Sequence, residues 1–219
     1  MSASSPNKSW TSAFGRACGV LLDTIVRWLA LSRINPNVLT FMGLVVNTWA
    51  AILFGSATAL TQRRLFFYAG LVIIGSGFFD LVDGAVARAN NRVTRFGAFF
   101  DSVVDRYSDA SQFLGLLIFY ARGDRFFYVV LTAFVMVSAI MVSYTRARAE
   151  SLIGSCRVGF MERPERLVLV IIGALFNRMA PVLWVIAVLS TLTVIHRMRY
   201  TWTRTQDAPP GAAKAGQAA

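Results

Sequence analysis

Apolar residues gather into six stretches long enough, or nearly so, to cross a bilayer as helix, which takes about 20 residues. They cover roughly 38–60, 65–88, 96–120, 126–144, 166–176 and 181–195. The second and third depart from the pattern by carrying aspartates at their facing ends, and the fifth has only a short uninterrupted apolar core. Ahead of them, 13–31 mixes apolar residues with Arg16, Asp23 and Arg27. That stretch is too interrupted to span, and it lacks the unbroken core of a cleavable signal peptide. An amphipathic helix lying in the membrane interface fits it. The expectation is an all-α polytopic membrane protein of six spans preceded by an interfacial helix. Residues 1–12 form an N-terminal segment, 13–203 the membrane domain, and 204–219, rich in Pro, Ala and Gly, a disordered tail.

Composition sharpens this picture. The apolar set makes up 56% of the 219 residues and charged residues 15%, against about 25% in ordinary soluble domains. A soluble globular domain, a disordered chain and a disulfide scaffold are all disfavoured. The net charge of +11 rests on 22 basic residues, all arginine except Lys8 and Lys214. They punctuate apolar runs and form no stripe, so the charge argues for membrane flanks and against nucleic acid. With the N-terminus inside, 16 of them fall in cytoplasmic connections and five outside (Arg63, Arg64, Arg122, Arg125, Arg178), leaving Arg106 within a span. The expectation is a multi-pass protein of the cytoplasmic membrane with both termini cytoplasmic. Cys18 and Cys156 lack a CxxC or nearby His partner and read as free thiols.

The aspartates carry the chemistry. Asp80 and Asp83 are three apart on one helix, and Asp101 and Asp105 four apart on the next, so each pair projects from a single face. A short link, 89–94, makes the two helices antiparallel neighbours and brings both pairs to the cytoplasmic end. Buried without compensation, the four would cost about 10–14 kcal/mol. Oxygen donors with no His or Cys companion suit a hard divalent cation, Mg2+ or Mn2+, that keeps coordination sites for water or phosphate. Ion pairs with Arg88, Arg95 and Arg106, or a cation path through a transporter, use the same residues. Gly84, Ala87 and Gly97 form a lane of small residues beside them that would admit a ligand close to the backbone.

Taken as one pattern, Asp80-x-x-Asp83-Gly84-x-x-Ala87-Arg88, eight residues, Gly97-x-x-x-Asp101-x-x-x-Asp105 resembles the full signature of the CDP-alcohol phosphotransferase family. The resemblance implies a membrane enzyme that moves a phosphatidyl or similar group from a CDP-linked lipid to an alcohol and releases CMP. It implies that Asp80, Asp83 and Asp101 hold metal, that Asp105 completes the site as general base, and that Gly84, Ala87, Arg88 and Gly97 line the nucleotide side. Asn37 and Thr40, in the Asn35-Pro36-Asn37-Val38-Leu39-Thr40 stretch, resemble a nucleotide contact. An Asn-Pro turn followed by helix capping explains them equally well. Family analogy also suggests a homodimer.

Three further arginines bear on the acceptor alcohol. Arg146 ends the fourth stretch, Arg166 starts the fifth and Arg197 follows the sixth. Topology alone accounts for arginines there, yet converging guanidiniums would also grip a phosphate monoester. The runs 142–150 and 162–166, with Arg197, resemble those of bacterial phosphatidylinositol phosphate synthases, with Arg146 where a lysine is common in that branch. This implies inositol 1-phosphate as acceptor and CDP-diacylglycerol as donor. Glycerol 3-phosphate is the alternative that the same arginines could serve. Pro164, flanked by Glu162 and Glu165, also has the composition of a helix N-terminus.

Overall fold

The computed structural model describes the backbone of residues 36–89 and 94–206 and the side chains of 37–79 and 94–206. Six helices make up the described chain: α1 (Pro36–Ser56), α2 (Gln62–Ala89), α3 (Arg95–Arg122), α4 (Phe126–Ile153), α5 (Arg163–Leu175) and α6 (Met179–Gln206). The expected interfacial helix at 13–31 lies outside the described residues. So does the tail beyond Gln206, but Arg204, Thr205 and Gln206 continue α6, which moves the expected boundary at 203 outward.

Three helices are long and apolar enough to cross a membrane: α1 from Asn37, α4 and α6. The six-span reading is supported in part, and the other three helices differ from these in length or charge. At 28 residues each, α2 and α3 extend about 42 Å and have the length. Among the described residues α3 lacks a clean apolar window, since Asp101, Asp105, Arg106 and Asp109 fall in its first half, whereas α2 carries an uncharged apolar run from Leu65 to Phe79. α5 has 13 residues, about 20 Å, short of the roughly 30 Å hydrocarbon layer. Conversely, α4 runs nine residues past the expected end at 144 and α6 eleven past 195. Helix-favouring Arg, Ala, Glu and Leu carry α4 on, with an Arg146–Glu150 pair at i,i+4, until Gly154 turns the chain at φ 77°.

Packing follows the small residues. α1 lies against both α2 and α3, α4 against α3 and α6, and α5 against α2 and α6. Where α1 crosses α3 the backbones touch: a Cβ on Gly115 would stand 2.2 Å from the Ala51 carbonyl oxygen. Only glycine permits that approach. α2 and α3 each pack chiefly on α1, and meet one another through Phe66 and Phe119, whose ring centres are 4.9 Å apart. A buried polar node ties the three together. Asn47 of α1 donates to Ser76 of α2, Gln112 of α3 donates to Asn47 Oδ1 at 2.5 Å, and Ser76 donates to the Gly43 carbonyl at 3.2 Å. With each polar group partnered, the node is affordable in an apolar interior and fixes the register of the helices.

Candidate active site

That node sets the heights of the aspartates. Asp83 lies seven residues beyond Ser76 toward the end of α2, and Asp105 seven residues before Gln112 toward the start of α3. Both backbones therefore stand about 10 Å from the node, on the same side. Asp80 is nearer and Asp101 farther. Asp80, Asp83, Gly84, Ala87 and Arg88 occupy the last turns of α2, with side chains outside the described residues. Among described residues no three His, Cys, Asp or Glu side chains form a metal-holding group. Asp101 and Asp105, both half-buried, supply the described half of the expected quartet.

The start of α1 joins this end. α1 begins at Pro36, and the Asn37 Oδ1 lies 3.5 Å from where a Cβ on Gly97 would be, while Thr40 is buried on the same face. Gly97 donates its backbone N–H to Thr94 Oγ1 at 2.9 Å, so Thr94 caps α3 there. Asn37 and Gly97 are thus brought close together, with Thr40 about one turn along α1 from Asn37.

Beside Asp105 opens a cavity of about 130 Å3 lined by Asp105, Arg106, Asp109, Val142, Ser143, Arg146, Glu162, Arg163, Pro164 and Arg197. Its walls come from α3, α4, α5 and α6. Arg197 is 1% exposed and held by three acceptors: Nε donates to the Val158 carbonyl at 2.8 Å, Nη1 to that of Val142 at 2.6 Å and Nη2 to Glu162 Oε1 at 2.8 Å. Arg146 donates to the same Glu162 oxygen at 2.8 Å and to Glu150 at 3.0 Å. Glu162 also closes a capping box with Glu165 at the start of α5, where Pro164 sits in the first turn. The composition of that turn is thereby explained.

Segment 154–162 folds back to deliver Glu162. Met161 and Cys156 are fully buried, and the Met161 N–H donates to Thr193 Oγ1 at 3.0 Å. Gly159, at φ 102°, passes so close to α6 that a Cβ would meet Thr193 Cγ2 at 2.5 Å. A side chain is excluded there both by backbone conformation and by space.

The expected arginine trio divides in two. Arg146 and Arg197 share Glu162 on the cavity wall, whereas Arg166 lies behind it, 2% exposed and paired with Asp109. Arg166 Nε and Nη1 are buried without a hydrogen-bond partner among the described residues. Arg163, which the sequence reading passed over, takes the position next to the aspartates, 2.8 Å from Asp105 Oδ1 and 3.9 Å from Asp109 Oδ1. The ion-pair alternative named Arg106 for this contact. Arg106 instead turns back on its own helix to the Ser102 carbonyl and hydroxyl. Asp109 and Glu162 were also missed. The first continues the row Asp101, Asp105 by another turn, and the second has capping-box spacing to Glu165, so both signals were present.

The sequence and the helical fold that carry this site have counterparts among known proteins. Residues 33–196 match the model of the CDP-alcohol phosphatidyltransferase family. The chain belongs to that family. Among similar members are the archaetidylinositol phosphate synthase of Pyrococcus horikoshii, 36% identical over 81% of this chain and 88% of its own, and the phosphatidylinositol phosphate synthase of Mycobacterium tuberculosis, 36% identical over 88% of each. The crystal structure of the M. tuberculosis enzyme with CDP-DAG bound superposes with a TM-score of 0.73 at 32% identity, covering 83% of this chain and 94% of that one. Its complex with manganese and citrate gives 0.70, also at 32% identity. This chain is accordingly a multi-pass, all-helical membrane transferase of phospholipid biosynthesis.

Proposed function

We propose that the protein transfers the phosphatidyl group of CDP-diacylglycerol to inositol 1-phosphate, giving phosphatidylinositol phosphate and CMP, at the cytoplasmic face of the cell membrane. The observation that carries this reading is the cavity in which Asp105 meets Arg146, Arg163 and Arg197. Guanidinium groups gathered on one cavity favour a phosphate monoester, whose oxygens accept charge-assisted hydrogen bonds. Serine or free inositol would leave them unused. The relatives support the acceptor, since the archaetidyl- and phosphatidyl-transferring enzymes differ in the lipid named and agree on inositol phosphate.

Asp80, Asp83, Asp101 and Asp105 would hold Mg2+ or Mn2+, because a donor set of carboxylate oxygens alone fits a hard cation. When bound, the ion supplies neutralisation of the pyrophosphate and of the departing CMP. The chain's own residues do the rest. Asn37, Thr40, Gly84, Ala87, Arg88 and Gly97 seat the nucleotide, and Arg146, Arg166 and Arg197 orient the acceptor phosphate, joined by Arg163. Asp105 accepts the proton of the attacking hydroxyl as its oxygen bonds to the lipid-side phosphorus and the bond to CMP breaks. Positioning and electrostatics dominate such a transfer.

The test is an acceptor panel with purified enzyme, CDP-diacylglycerol and Mg2+ or Mn2+: inositol 1-phosphate, glycerol 3-phosphate, inositol and serine, read as CMP released. Inositol 1-phosphate should give the highest kcat/KM. Preference for glycerol 3-phosphate would reassign the acceptor, and preference for an unphosphorylated alcohol would overturn the role of the arginines.

A further inference from the structure

The end of the molecule opposite the carboxylates has a charge pattern that the transfer reaction does not use. Its described loops and helix ends carry Arg63, Arg64, Arg122, Arg125 and Arg178 against a single acid, Asp124. Two hollows adjoin there and share Arg122. One, of about 250 Å3, lies between the α1–α2 and α3–α4 loops and is lined by Thr58, Gln62, Arg122 and Arg125 over a floor of Phe119. The other, of about 400 Å3, is an apolar groove running along α1 and α3 between Ile52, Leu114 and Ile118. The groove exists because Gly115 lets the two helices touch at Ala51, so that larger residues on either side stand up as walls. Arg122 is held at the junction by donating to the Gly55 carbonyl at 3.0 Å, which occupies Nη1.

A cationic, polar hollow at the level of the loops that opens into an apolar groove running down the helices has the two-part character of a phospholipid. We infer that this is a binding site for an anionic phospholipid in the leaflet away from the active site. Its phosphate lies between Arg122 and Arg125, and one acyl chain lies in the α1–α3 groove. Guanidinium groups favour the phosphate, and an anionic headgroup meets the surplus of positive charge better than a zwitterionic one. None of these residues belongs to the catalytic cavity, so the inference stands apart from the assignment of the reaction.

The experiment uses the full chain in nanodiscs of phosphatidylcholine containing a trace of phosphatidylglycerol with a photoactivatable acyl chain. After irradiation the adducts are mapped by peptide mass spectrometry. Adducts should concentrate on Ile52, Leu114 and Ile118, and should be displaced by unlabelled phosphatidylglycerol about tenfold more effectively than by phosphatidylcholine. Arg125→Gln, which leaves the tie between Arg122 and Gly55 intact, should cut labelling there severalfold. Ile52→Trp, filling the groove without altering charge, should do the same, and both should leave CMP release unchanged. Labelling spread evenly over the helices, equal displacement by the two lipids, or full labelling in both variants would overturn the site. So would adducts that join two copies of the chain, which would make the groove a protein interface.

Discussion

At the residue scale, the site works by dividing labour among charges of opposite sign. Asp105, the proposed base, stands on the wall of a cavity whose other charged walls are mostly arginine. Asp105→Asn keeps shape and removes basicity, so turnover should fall by about 10^2–10^4-fold while CDP-lipid binding, read by equilibrium titration, is largely retained. Near-normal turnover would exclude it as the base. Arg166 is buried on Asp109 with two donors open. Replacing it with Ala removes charge-assisted hydrogen bonds worth about 1.5–3 kcal/mol each. The KM for the phosphorylated acceptor should rise about tenfold or more, with the KM for CDP-lipid little changed. Equal effects on both substrates would remove Arg166 from acceptor recognition. Much of this was legible in sequence, because Asp spacing on a helix fixes which side chains share a face. Arg163 was not. Neighbouring Arg166 fits the family pattern, and only the turn before α5 determines which of the two reaches Asp105.

At the element scale, close approach is what the helices depend on. A Gly115→Val change would force α1 and α3 apart at Ala51. Overpacking of this kind costs about 1–3 kcal/mol, to be seen as a lower melting temperature in detergent, with parallel loss of activity. Gly159→Ala strains a left-handed backbone position and meets Thr193, a cost of about 1–3 kcal/mol. Since the same segment supplies the Val158 carbonyl to Arg197 and leads into Glu162, acceptor KM should rise as well. Wild-type stability and kinetics would refute the close packing described. The elements themselves were well anticipated where apolar runs were clean. They were misjudged where helices outlast their apolar segment: α4 continues on helix propensity and the Arg146–Glu150 pair, and α6 also runs past its apolar stretch to Gln206, which hydropathy does not register. The brevity of α5 was visible in the sequence as a short uninterrupted apolar core.

At the scale of the whole molecule, the arrangement gathers the charged chemistry at one end of an apolar bundle. Chelation of divalent ions should abolish CMP release, and adding back Mn2+ or Mg2+ should restore it; activity that survives chelation would exclude the carboxylate site as a metal centre. Both termini are proposed to be cytoplasmic, so single cysteines near residues 5 and 215 should react with an impermeant thiol reagent only from the cytoplasmic side of oriented vesicles.

One consequence follows from the length of α5. Its first residue is level with Arg146, while α4 continues seven residues, about 10 Å, farther out. The cavity therefore lies about two helical turns inside the end of α4. For the proposed transfer, the lipid would then react from within its leaflet and the water-soluble acceptor would come to it.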